Sequence, residues 1–238
     1  ICYLFAKFLD IRNTDLIDLA IVGAIGDIQD ENWEFQGLAK KILAEAEMIG
    51  KVSVTRGLRL YGRQTRPLHR LLSNSFDPFI PGISGSESNA VQFLSELGIP
   101  IKERGEWKKL KDLTIEEQQK LASAIIKERL NTEDAGNIFG EVHTILGKPE
   151  ELQDTREVAT LINACGRTGN ADVALRLCLG DYTALEKSSD VLNSYRKMIG
   201  QCLSWLRENK ESAISTDFGN YILGNAKIPD NLIGTVVS

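Results

Sequence analysis

Apolar positions recur along this chain mostly at helical spacing, and the punctuation between them marks where helices start and stop. Residues 2–9 read as the end of one helix. Asn13 or Thr14 can cap a second over residues 15–26, which carries the apolar run Leu16-Ile17-Asp18-Leu19-Ala20-Ile21-Val22. A third is predicted over 34–49, with Gly50 as its stop. Alternation in Val52-Ser53-Val54 and Leu58-Arg59-Leu60, on either side of Arg56-Gly57, predicts a hairpin. Pro67 opens a short helix through Leu72, residues 76–82 form a loop with two prolines, and 86–97 is helical up to Gly98. The charge-rich stretch 98–113 reads as a surface excursion. Thr114-Ile115-Glu116-Glu117 is a capping box that opens an amphipathic helix to Leu130. Beyond it come a strand over 138–145 and a helix from Asp154 to Ala164, followed by a loop over 165–170. Two more helices follow, over 171–179 and from Thr183 or Ser188 to Glu208, and then a strand over 221–223. Helix dominates with a few strands between, which predicts an α/β or α+β class.

Composition narrows the function only broadly. The 238 residues suit one large domain or two small ones, and 42% hydrophobic with 26% charged residues is an ordinary globular balance. A net charge of -5 means that any contact with a polyanion must come from a local patch rather than from the whole chain. Apolar runs are shorter than the about 20 residues a membrane span needs, and the first residues lack the basic leader of a signal peptide. Cys2, Cys165, Cys178 and Cys202 are far apart without a C-x-x-C pair, which suits reduced cysteines in a cytoplasmic protein and not a zinc site. Ile1 and Ser238 both fall within ongoing patterns, so a piece of a longer protein is expected.

Three stretches could carry chemistry. Gly23-Ala24-Ile25-Gly26-Asp27 places a carboxylate at the C-terminal end of an apolar helix, where the macrodipole disfavours negative charge by roughly 0.3–1 kcal/mol. A hard cation such as Mg²⁺ or Mn²⁺ would reverse that sign. On residue types alone, a solvated Asp27 in a loop is the default. Between Met48 and Phe76 the chain has no acidic residue but carries Lys51, Arg56, Arg59, Arg63, Arg66, His69 and Arg70. Guanidinium forks suit phosphate, and a basic face that pairs with acids elsewhere explains the run equally well. In Asn163-Ala164-Cys165-Gly166-Arg167-Thr168-Gly169-Asn170, glycines around Arg167 could form an anion nest, although a helix C-cap and turn fits the spacing better. Walker, dinucleotide and G-x-S-x-G patterns are absent from the sequence.

The segment Asp15-Leu16-Ile17-Asp18-Leu19-Ala20-Ile21-Val22-Gly23-Ala24-Ile25-Gly26-Asp27 resembles the fourth motif of DHH phosphoesterases, a helix that ends in a metal-binding aspartate. The match is closest to archaeal RecJ-like single-strand exonucleases. It continues in Tyr61-Gly62-Arg63-Gln64-Thr65-Arg66-Pro67, in Asp77-Pro78-Phe79-Ile80-Pro81-Gly82, and in Ala159-Thr160-Leu161-Ile162-Asn163-Ala164-Cys165-Gly166-Arg167. The resemblance implies an α/β fold, with the C-terminal portion of a DHH domain over 1–135 and the start of a smaller substrate domain over 136–238. It implies a hydrolase that cleaves phosphodiesters of single-stranded DNA, RNA or short oligonucleotides with two Mn²⁺ or Mg²⁺ ions.

By that resemblance Asp27 is the one catalytic metal ligand present. Arg56, Arg59, Arg63, Arg66 and Arg70 would guide the nucleic-acid backbone, with Asn163 and Arg167 as further phosphate contacts. The family's DHH triplet, its earlier aspartates and its glycine- and histidine-rich substrate motif are absent from this sequence, and an inactive isolated piece is expected. Replication proteins such as the GINS complex are implied as partners. The alternative is a catalytically inactive interaction module of the same superfamily.

Overall fold

The computed structural model describes residues 1–30, 33–75, 77–132, 135–224 and 227–237. It is a helix-dominated α/β fold with small sheets. The chain divides into two compact units, Ile1–Ala159 and Thr160–Ser238. The strand over 139–145, which lies beyond the 135/136 boundary expected from sequence, belongs to the first.

The first unit begins with α1 (Cys2–Leu9), a 3₁₀ segment (Ile11–Leu16), α2 (Ile17–Gly26) and α3 (Gly37–Met48). The Asp10 side chain accepts the Arg12 N–H at 2.9 Å and so caps the 3₁₀ segment. This explains why α2 starts at Ile17 and not at Asp15. Next comes β1 (Val52–Leu58), a single continuous strand in place of the expected hairpin. Its partner is β4 (Phe139–Ile145), antiparallel, in register from Val52 opposite Ile145 to Leu58 opposite Phe139. The local alternation is that of a strand, but the pairing comes from a distant segment, and Gly57 is the last residue but one of β1, opposite Gly140.

Between β1 and β4 lie α4 (Leu68–Ser73), α5 (Glu87–Glu96), β2 (Lys102–Glu103), β3 (Glu106–Trp107) and α6 (Ile115–Glu128). The α5 start is capped by Ser86, and α6 opens with the expected capping box: Thr114 Oγ1 accepts the Glu117 N–H at 3.2 Å while Glu117 accepts the Thr114 N–H at 2.9 Å. A compact core runs from Leu58 to Ile138 and is built on Leu68, Leu72, Ile80, Leu94, Leu121 and Ile125. The stretch 98–113 is less of an excursion than expected. The β2–β3 tip is exposed, whereas Ile99, Leu110 and Leu113 enter this core and the Lys108 ammonium is buried against Glu117 at 2.8 Å. Phe76, in the proline loop, lies outside the described residues.

α7 (Thr155–Arg167) links the units in sequence. In the second unit, the long α9 (Leu185–Glu208), the hairpin β5 (Ala213–Thr216)–β6 (Gly219–Ile222) and α10 (Ile233–Val237) gather around Ala164, Tyr195, Cys202, Ile228 and Leu232, and α8 (Ala171–Cys178) packs beside α9. The expected loop over 165–170 is a correction: α7 continues through Arg167, and the chain turns only at Gly169, whose φ of 74° is left-handed. The Asn170 N–H then returns to the Cys165 carbonyl at 2.8 Å, closing the helix end. Among the described residues, no helix is long and apolar enough to cross a membrane.

Candidate functional site

Asp27 is the C-cap of α2. Its side chain is exposed and accepts a hydrogen bond from Gln29 Nε2 at 3.1 Å. The outward line that leads to it, Ala20, Gly23 and Ala24, is small, and a Cβ at Gly23 would meet nothing within 4 Å. Among the described residues, no group of three or more His, Cys, Asp or Glu side chains is arranged to hold a metal ion. Asp27 therefore supplies one carboxylate, and the described residues alone do not fit a two-metal centre.

Asp30 lies in the connection between α2 and α3. It is buried, and its carboxylate pairs with the guanidinium of Arg156 on α7. That guanidinium lies 3.8 Å from the Trp33 ring centroid, and Arg59 covers the same ring at 4.7 Å. Trp33 has a φ of 64°, uncommon for a bulky side chain, and its Cβ fits because Gly140 on β4 has no side chain. Below it, His143 stacks against Phe35 with centroids 5.2 Å apart, and its Nε2 lies 3.2 Å from Glu141. Burial holds the imidazole below its ordinary pKa, with Glu141 pulling the other way.

The basic run does not form one open track. Arg59 is buried, donating to Asn137 Oδ1 at 2.6 Å and to Asp77 at 3.2 Å. Arg63 is largely enclosed beneath β1, where a Cβ on Gly57 would come within 2.7 Å of its Nη1. Burial lowers its pKa, while Asp154 and Glu157 act in the opposite direction. Arg66 lies over the Tyr61 ring at 4.8 Å. Arg70 is exposed and pairs with Glu87 at 3.3 Å, and Arg56 is exposed on β1 opposite Glu141.

The acids nearest the enclosed Arg63 come from the start of α7. Asp154 caps that helix through the N–H groups of Arg156 and Glu157, both at 3.0 Å. Glu157 accepts the Gln64 N–H at 2.8 Å and the Thr65 hydroxyl, and so fastens the turn at 61–65. Burial raises the pKa of both carboxyls, helped at Glu157 by the neighbouring Asp154. A water-sized space of about 10 Å³ lies beside this network, with Trp33, Tyr61, Arg63, His143, Asp154 and Arg156 among its walls. Sequence reasoning missed this cluster of Asp30, Trp33, Glu141, His143, Asp154, Arg156 and Glu157. The available signal was the acid-free stretch itself, since enclosed arginines require counter-charges from elsewhere.

In the second unit, Asn163 and Arg167 are both exposed on α7. Arg167 is tied to the residues before α10: its carbonyl accepts from Asn231 Nδ2 at 2.6 Å, and its Nη1 reaches the Asn231 carbonyl at 3.5 Å.

Residues 60–137 match the DHH-CID domain. The match begins two residues after β1 and ends two before β4, so its ends coincide with the neck at which the antiparallel pair brings the chain back on itself. It supports a place in the DHH superfamily, which includes phosphoesterases. An uncharacterized protein of Methanocaldococcus jannaschii is 29% identical over 197 residues, which make up 83% of this chain and 41% of that protein. The chain thus spans about two fifths of the length of the curated relative it matches.

Proposed function

We propose that the chain works within a metal-dependent phosphodiesterase that acts on single-stranded nucleic acid or short oligonucleotides. The DHH-CID match over residues 60–137 is the observation that carries this reading. It is supported by the exposed carboxylate of Asp27 at the end of α2, whose small outward residues leave room for a neighbouring backbone. Asp27 is proposed as one ligand of a Mn²⁺ or Mg²⁺ centre whose other ligands come from elsewhere in the whole protein. Arg56 and Arg70 are the exposed arginines of the basic run and the proposed phosphate contacts. Arg59 and Arg63 hold the surrounding loops, and Arg66, Asn163 and Arg167 are secondary candidates. The same reading makes replication proteins such as the GINS complex candidate partners.

The test is turnover by the full-length polypeptide on single-stranded DNA and RNA oligonucleotides with added Mn²⁺. Asp27→Ala is expected to lower turnover by more than about 100-fold, the upper end of what the outer-shell partners of a metal cost. Turnover close to that of the unaltered protein would overturn the ligand assignment. Absence of Mn²⁺-dependent cleavage in the unaltered full-length polypeptide would remove the enzymatic reading itself.

A further inference from the structure

The N-terminal helices carry their apolar residues on the wrong side for a surface layer. On α1, Tyr3 and Lys7 turn inward, where Tyr3 Oη donates to Glu45 at 3.5 Å and Lys7 pairs with the same carboxylate. The opposite face is set by Ile1, Phe5, Phe8 and Leu9 at helical spacing, with exposures of 96%, 62%, 86% and 66%. In the 3₁₀ segment Ile11 and Leu16 are exposed as well, beside the exposed Arg12, paired with Asp10, and Asp15, paired with Lys51, so the apolar face is carried by α1 and α2. At about 200 Å² for a large side chain, these residues present several hundred Å², at or above the largest apolar patch of an ordinary monomer.

α2 shows the same inversion. Ile17, Ile21, Val22 and Ile25 are buried in the first unit, yet the other side is also apolar: Leu16, Ala20, Gly23 and Ala24, followed at the same spacing by Asp27. The one charged residue of α2, Asp18, is buried and pairs with Lys148 at 3.3 Å, so the outward side is apolar throughout, and a packed domain covers such a face with a further layer.

We propose that the outer face of residues 1–28 is an interior interface of the whole protein, covered by an apolar layer of the same polypeptide that lies outside the region matched here. Two observations favour the same polypeptide over a transient partner. The relative extends well beyond the matched 41% of its length. The face also carries no charged side chain along α2 from Leu16 to Gly26 on its outward side, unlike the mixed composition of interfaces that form and dissociate. The glycine and alanines would let the covering backbone approach α2 closely, bringing it to the rim marked by Asp27. This inference stands on packing and does not require phosphodiesterase activity.

The experiment is hydroxyl-radical footprinting of the full-length polypeptide, read at Phe5 and Phe8 against the same protein unfolded in denaturant. Covered side chains are expected to react several-fold more slowly in the folded protein, at every protein concentration and without lipid. Phe8→Asp is expected to restore fast labelling at Phe5 and fast hydrogen exchange across residues 1–28. Reaction as fast as in the unfolded protein would overturn the proposal. So would protection that disappears on dilution, which would assign the face to a second copy, or protection that needs phospholipid vesicles. None of these readouts involves turnover, so failure here and failure of the Asp27→Ala test are told apart.

Discussion

The Glu157 carboxylate accepts the backbone N–H of Gln64 at 2.8 Å, across 93 residues of sequence. That bond, with the Thr65 hydroxyl on the other carboxylate oxygen, attaches an arginine-rich turn to the first turn of α7. Glu157→Ala leaves a partly buried N–H without its acceptor, which costs about 1–3 kcal/mol. Glu157→Gln retains an acceptor oxygen and is expected to cost less. Urea denaturation followed by circular dichroism measures both. Equal midpoints for Glu157→Ala and the unaltered chain would show that the turn is held by other contacts.

Two glycines face one another across the strand pair and differ in what limits them. A Cβ at Gly140 would stand 2.4 Å from the Cβ of Trp33, an atom fixed to its backbone. A Cβ at Gly57 would meet the far end of Arg63, 2.7 Å away, which can swing aside. Gly140→Ala is therefore expected to destabilise by about 1–3 kcal/mol as an overpacked site, and Gly57→Ala by less. Thermal unfolding of the two variants side by side tests the order, and the reverse order would contradict this placement of Trp33.

Most elements were legible in the sequence because their signals are local. The Thr114–Glu117 box, the Ser86 cap, Gly98 and the Asp154 cap each act within one helical turn, and each marks a boundary that the structure keeps. Where a distant partner decided the outcome, the local pattern misled. The alternation around Arg56-Gly57 is that of a strand, but only β4, over 80 residues further along, explains why Gly57 is not a turn. The α7 helix outlasts Ala164 because nothing at Cys165 or Gly166 forces a left-handed residue before Gly169. At the candidate site, Asp27 was readable from its place at a helix end. The network of Asp30, Arg156, Trp33 and His143 was not, because its members come from three separate parts of the chain: the α2–α3 connection, β4 and α7.

The buried histidine gives the first unit a pH-dependent stability with a definite sign. Burial holds the His143 pKa below its ordinary 6.5, so between that value and its folded pKa the unfolded chain binds more protons. Its contribution is complete above pH 6.5 and is lost as the pH falls through this window. The carboxyls of Asp154 and Glu157 are raised above 3.8 and 4.5, so in their windows the folded state holds more protons and their contribution shrinks as the pH rises. Their slope opposes that of His143. His143→Gln is expected to flatten the fall in melting temperature between about pH 7 and pH 5. An unchanged fall would place the titrating group elsewhere, with His69, also held low by burial, the next to test.

The neck formed by β1 and β4 makes the matched stretch separable. Every residue of its core lies between Leu58 and Phe139, and those two residues face each other in the strand register. The Arg59 N–H reaches the Ile138 carbonyl at 2.7 Å, and the Arg59 guanidinium reaches Asn137, closing the same neck. Domains with their own core and adjacent termini fold alone. A polypeptide of residues 57–140 is therefore expected to unfold cooperatively, with the circular dichroism of a helical protein. A gradual, featureless melt would show that the core depends on the rest of the unit.

Arg56 and Arg70 make the nucleic-acid reading quantitative. Both are exposed, and the pairing of Arg70 with Glu87 is a surface ion pair of the kind worth about 0–1 kcal/mol, so a phosphate can displace it. Each phosphate contact that is removed should lower the slope of log affinity against log salt by about 0.7 for a single strand. Arg56→Gln and Arg70→Gln in the full-length polypeptide are thus each expected to weaken binding of a fluorescent oligothymidylate and to reduce that slope, without moving the melting temperature. A reduced slope in both variants would put the exposed edge of the basic run on the path of the strand. Affinity that falls with no change in slope would point to loss of shape and not of charge, and the phosphate contacts would then have to be sought outside Arg56 and Arg70.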